Sequence, residues 1–161
     1  MDTMAVKKIV DAAISDLYDK DGAILKKEHD IRESTITHRL ALYLEEYFKQ
    51  DGYVVDIEYS KVKHWPQGNE DARALITKKL SGSPSDGEAN TIYPDIIVHK
   101  RDSRDNLIEI EVSIAWRDTE KLYNLKKVNE YMKSLRYEHG IYIELTERKE
   151  DAKAYFGPFN L

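Results

Sequence analysis

Tyr93-Pro94-Asp95-Ile96-Ile97-Val98-His99-Lys100, followed by Asn106-Leu107-Ile108-Glu109-Ile110-Glu111-Val112-Ser113, is the stretch on which the fold turns. Both runs are rich in β-branched residues. In the second, Ile108, Ile110, Val112 and Ile114 alternate with Glu109, Glu111 and Ser113, which predicts a strand with two unlike faces. Strands are expected over 92–99 and 107–115, with residues 101–105 as the hairpin turn. If Lys100 faces Asn106, Asp95 stands directly across from Glu111, with Cβ atoms about 5 Å apart. Carboxylates that close repel, and a hard divalent cation relieves the repulsion. Magnesium keeps several waters and needs only one or two protein carboxylates, so such a pair can bind it. The plainer alternative is that the acidic face is a solvated outer one. Pro94 at a strand's start needs no function either.

Outward from the hairpin, Val6, Ile9, Val10, Ala13, Ile14 and Leu17 recur at helical spacing and predict a helix over 3–18, broken by Asp21-Gly22. A second helix is expected from near Ile31, with Ile36, Leu40, Tyr43, Leu44, Tyr47 and Phe48 as its stripe and Asp51-Gly52 as its stop. Residues 53–59 alternate as a strand. Residues 60–90 are irregular, with Trp65-Pro66, a short helix over 71–80 and a loop over 81–87. A helix from Asp118 or Thr119 to about Tyr137 would turn Leu122, Leu125, Val128, Met132 and Leu135 inward, with Gly140 as its stop. Residues 141–145 form a last strand, and the tail with Gly157-Pro158 reads as a turn and an irregular end. The order is helix, helix, three strands, helix, strand. That order implies one α/β domain over 1–161, a mixed sheet flanked by helices.

The 161 residues are 41% hydrophobic and 34% charged, which suits a globular domain with a well-solvated surface. There is no cysteine, so disulfides, thiolate metal sites and cysteine nucleophiles are excluded. Neither a signal peptide nor a run of roughly 20 apolar residues stands out, so a cytoplasmic location without membrane association is the default expectation. A net charge of −5 argues against a dedicated nucleic-acid scaffold but not against an enzyme with a local basic rim. Lysine and arginine cluster at Lys61 and Lys63, Lys78 and Lys79, Lys100 and Arg101, and Lys126 and Lys127. Such pairs are more often a solvated helix face. The eleven tyrosines could stack on bases, although core positions account for them more simply. No Walker loop, dinucleotide fingerprint or nucleophile elbow occurs.

The hairpin resembles the Pro-Asp…Glu-x-Lys signature of the PD-(D/E)xK nuclease superfamily. Glu33-Ser34-Thr35-Ile36-Thr37-His38-Arg39-Leu40-Ala41-Leu42-Tyr43-Leu44 and Val55-Asp56-Ile57-Glu58-Tyr59 are similar to stretches of uncharacterised bacterial members, in the same order. The similarity spans roughly residues 30–145. It implies a restriction-endonuclease-like fold of core order αβββαβ with an extra N-terminal helix. It also implies metal-dependent hydrolysis of nucleic-acid phosphodiesters, with DNA the expected substrate. By the same resemblance Asp95 and Glu111 bind magnesium or manganese, and Glu33 completes the shell. Against that role for Glu33, Asp30-Ile31-Arg32-Glu33 also fits a helix capping box. Glu58 is a weaker candidate for support. A homodimer is an allowed assembly.

Two positions depart from the pattern. Ser113 stands where the superfamily has its catalytic lysine, and a neutral hydroxyl cannot stabilise charge developing on a phosphate. The enzyme is then inactive, or another cation reaches in (Lys100, Lys121 and Lys126 are the candidates), or metal ions carry the whole load. Glu109 replaces an apolar residue; it shares a face with Glu111 and could help hold a metal, but residues two apart on a strand stand about 7 Å apart, so a solvated outer position is the expectation. His38, one helical turn from Glu33, could face the site, although an ordinary surface or core histidine is the simpler reading for it and for His64, His99 and His139, and no two histidines have a ligand-pair spacing. The competing function is a nuclease-fold module without catalysis, serving as a nucleic-acid- or protein-binding regulatory subunit.

Overall fold

The computed structural model describes residues 1–59 and 93–161. Helix α1 (Thr3–Asp21) starts at Asp2, whose carboxylate accepts the Ala5 amide at 2.8 Å and so satisfies one of the free N–H groups of the first turn. Its buried stripe is Val6, Val10, Ala13, Ile14 and Leu17. Helix α2 (Glu33–Phe48) buries Ile36, Leu40, Leu44 and Phe48 beside it. The strands are β1 (Val54–Ile57), β2 (Ile96–His99), β3 (Asn106–Ile114), β4 (His139–Leu145) and β5 (Lys153–Phe156), with helix α3 (Lys121–Leu135) between β3 and β4.

These strands form a mixed sheet in the order β1-β2-β3-β4-β5. Every neighbouring pair is antiparallel except β3 and β4, which are parallel because the chain between them crosses through α3. The result is an α/β fold in which helices cover both faces of a five-stranded sheet. Helices α1 and α2 share a large aliphatic core with Ile108, Ile110, Val112 and Ile114 of β3 and Ile141 and Ile143 of β4. On the opposite face the apolar packing is smaller: Tyr131, Leu135 and Tyr137 meet Ile97 and Tyr59.

The element order expected from the periodicity is found, with three differences. Helix α3 ends at Leu135, where Arg136 takes the left-handed conformation (φ 56°), and Gly140 lies inside β4 instead of stopping the helix. A Cβ on Gly140 would stand 2.5 Å from Val128 Cγ1 and 2.6 Å from Met132 Sδ. The glycine is required by close helix–strand approach, not by a turn. The inward stripe of α3 is also shifted, because Leu122 is exposed while Lys127, Val128, Tyr131 and Leu135 are buried. Lastly, the tail adds a fifth strand, β5, whose Ala154 and Phe156 pack on the large core. Four residues followed by Gly-Pro are too few for alternation to declare a strand. The expected short helix over 71–80, the loop over 81–87, Trp65-Pro66, His64, Lys61, Lys63, Lys78, Lys79 and the start of the strand at Ile92 lie outside the described residues. Among the described residues no helix is long and apolar enough to cross a membrane.

Candidate functional site

The β2–β3 ladder pairs Ile96 with Ile110, Ile97 with Glu109 and Val98 with Ile108, the register expected of the hairpin. It slips by one at the turn end through a bulge, so that His99 pairs with Asn106. Asp95 immediately precedes β2 on the side of Glu111. Its Oδ2 accepts the Val112 amide at 2.8 Å, which fixes the carboxylate against β3. The two acids singled out from the sequence are neighbours on one face.

That face is not solvated. All nine residues of β3 are buried, Glu109 at 0% and Glu111 at 1% exposure, because α3 lies over them. The expectation of an outer, water-facing acidic row fails for Glu109, since the parallel crossover needs a helix on that side. Helix α3 also supplies a cation. Lys127 Nζ stands 2.8 Å from Glu111 Oε2, with both side chains withdrawn from water. None of the lysines expected to reach in does so: Lys100 pairs with Asp105 at 3.4 Å, Lys121 pairs with Glu144 at 3.1 Å, and Lys126 is exposed. Lys127 was missed because the pair Lys126 and Lys127 reads as a solvated helix face, although Val128 and Leu135 of the expected stripe are buried beside it. Tyr123, Lys127, Tyr131 and Leu135 follow the i, i+4 spacing of a buried stripe, which was the available signal.

One lysine does not balance the charges here. Both oxygens of Glu109, Oε1 of Glu111 and Oγ of Ser113 lack a hydrogen-bond partner among the described residues. Burial pushes the Glu109 carboxyl up to about 7. Burial, and then the Asp95 charge, hold Glu111 well above the usual carboxylate range. Asp95 is raised by burial as well, against the pull of Lys127 and the Val112 amide. For Lys127 burial opposes the charge, but Glu111 and Asp95 outweigh it and hold the ammonium above its ordinary value. Buried charge without a full complement of partners is costly.

This imbalance has a pH signature. The folded-state pKa of Glu109 (about 7) lies above its unfolded value (4.5), so the folded chain binds the extra proton between those two values. Stability therefore falls as pH rises through about 7. With a chelator present, Glu109→Gln is expected to melt above the wild type at pH 8, by up to about 3 kcal/mol, and to match it near pH 5. Thermal melts at both pH values check this. A variant that destabilises equally at both would mark Glu109 as a structural hydrogen-bonding residue.

Glu33 is the first residue of α2. The capping box does not form: Arg32 is the N-cap without a side-chain bond, and Asp30 is left-handed (φ 46°) and paired with Arg117 at 2.6 Å. Arg117 also donates to the Ile31 carbonyl at 2.7 Å, tying the start of α2 to the end of β3. Glu33 is exposed, yet partial desolvation and the Asp95 charge raise its carboxyl, so it borders the cluster. Ser113 is buried beside Asp118 and Tyr142, whose hydroxyl donates to Asp118 instead. Glu58 (φ 45°) donates its amide to the Asp95 carbonyl at 3.3 Å, and its charge acts on Asp95. His38 is exposed, and His99 is bound to Asp56 at 2.8 Å.

Among the described residues no three His, Cys, Asp or Glu side chains stand ready to hold an ion together. Two carboxylates suffice for magnesium, and the unpartnered oxygen of Glu111 beside Asp95 gives the chemistry of a hard-cation site. Compared with family models, curated proteins and solved structures, the chain matches none.

Proposed function

We propose that this protein is a metal-dependent phosphodiesterase of nucleic acid, most simply DNA, with a PD-(D/E)xK-type site on a restriction-endonuclease-like variant of its α/β fold. The observation that carries the reading is the buried Lys127–Glu111 pair at 2.8 Å beside Asp95, which returns a lysine to the site that Ser113 lacks. Asp95 and Glu111 would hold magnesium or manganese, with Glu33 at the border as support. Such an ion supplies Lewis acidity and an activated water. The ammonium of Lys127 would stabilise negative charge developing on the phosphate, in a setting screened from water by α3.

Cleavage of single- and double-stranded DNA and RNA with each ion, at low salt, tests the reading. Ion-dependent cleavage that Asp95→Asn removes is the expected result. With Lys127 already filling the role, Ser113→Lys should leave cleavage unchanged or reduce it, because it adds a second ammonium to a buried position. A strong gain in Ser113→Lys would instead mean that Lys127 is not the catalytic cation. The burial of Glu109 and Glu111 beneath α3, with Lys127 occupying Glu111, favours a second reading: a nuclease-like module that binds nucleic acid or protein without catalysis. Inertness of the wild type and Ser113→Lys on every substrate with both ions would select it.

A further inference from the structure

Glu109 has no part in the chemistry described so far, yet it is fully buried and neither oxygen meets a donor among the described residues. Its neighbour on the same face is Glu111, another carboxylate, which offers it no donor. Both project from the face of β3 beneath α3, two residues apart. Lys127 donates to Glu111, and the Asp95 and Glu109 charges act on it as well. Of these two, Asp95 is already held by the Val112 amide, whereas Glu109 has no hydrogen-bond partner among the described residues. A buried ammonium must keep a counter-ion, and a divalent cation at Asp95 and Glu111 would compete for the oxygen that Lys127 now holds.

We infer that Glu109 is the alternate counter-ion of Lys127: the ammonium turns from Glu111 to Glu109 when a cation takes up Glu111, and so stays charged and in place. The purpose of this exchange rests on the cation-binding reading above, but its test does not. Glu109 is thus a positioning residue that acts through Lys127. A lysine stem with four rotatable carbons allows such a movement without moving the helix.

The decisive measurement is a melting cycle at pH 8 in chelator, using Glu109→Gln, Glu111→Gln and the double variant, each with and without Lys127→Met. Each single variant should melt no lower than the wild type, because Lys127 keeps one carboxylate. The double variant should fall on the order of 5 °C or more below the additive expectation. Adding Lys127→Met should remove that deficit, and it should restore folding if the double variant does not fold. Additive melting, or a triple variant no more stable than the double, overturns the inference. So does the same non-additivity appearing between Asp95→Asn and Glu111→Gln in place of Glu109. In calorimetric titration with magnesium or manganese chloride, Glu109→Gln should weaken binding about tenfold, since Lys127 now competes for Glu111. That effect should vanish in the Lys127→Met background, and its persistence there would make Glu109 a direct ligand and overturn the inference. If the wild type binds neither ion, the cation-binding reading fails, while the melting cycle still decides the counter-ion.

Discussion

Lys127→Met is expected to lose about a hundredfold or more in kcat for ion-dependent cleavage, the scale of removing one donor that meets charge developing in a transition state. Ion affinity should hold or tighten in the same variant, because methionine no longer competes for Glu111. The loss then appears in turnover and not in binding. Without an ion, Lys127→Met takes from Asp95, Glu109 and Glu111 the ammonium that acts on all three, so it should melt well below the wild type at pH 8. It should recover toward pH 5, where the raised carboxyls take up protons. Lys126→Met, one residue away on the exposed side, is the control and should change neither. Full cleavage activity in Lys127→Met would remove the residue from the catalytic machinery.

Gly140→Ala carries the second large effect. The added methyl would meet Val128 Cγ1 at 2.5 Å and Met132 Sδ and Cγ at 2.6 and 2.7 Å. Met132 can turn its flexible end aside, but Val128 is β-branched and stiff, so α3 itself must move. Overpacking of this kind costs about 1–3 kcal/mol, or roughly 5–10 °C in melting temperature at the upper end for a chain of this size. Gly140 pairs with Glu109 across the parallel ladder, so the displacement also lifts Lys127 away from the acids, and activity should fall with stability. Gly22→Ala is the comparison: nothing lies within 4 Å of its added methyl and its backbone is ordinary right-handed helix, so its melting temperature should not drop.

The hairpin could be read from sequence because strict alternation in 108–114 and a short polar turn fix both pairing and face. Asp95 and Glu111 follow from that register alone. The burial of their face could not be read locally. Glu109 and Glu111 look like a solvent row until a helix from a later part of the chain is laid over them, and the parallel β3–β4 connection is a non-local fact. Lys127 was missed for the same reason, since a lysine in a polar helix reads as surface unless the helix phase is known. The choice at Glu33 between cap and site depended on the left-handed turn at Asp30 and on its partner Arg117, 87 residues away. β5 escaped because its four residues gain their stability from β4 and the core, not from any pattern of their own.

The unequal covering of the two sheet faces sets how the site breathes. On the α1–α2 side a large aliphatic core must be exposed before anything separates. On the α3 side a small aromatic cluster, the Lys127–Glu111 and Lys121–Glu144 ion pairs and the hydrogen bonds of Asn106 and Asn129 hold the helix above Glu109, whose oxygens have no partner among the described residues. Local opening of α3 should therefore cost less than unfolding the chain, and it would expose Glu109 and Glu111 to water while the β2–β3 hairpin stays paired. Amide protons of α3 should exchange with deuterated solvent well before those of α2, and a bound cation should slow them selectively.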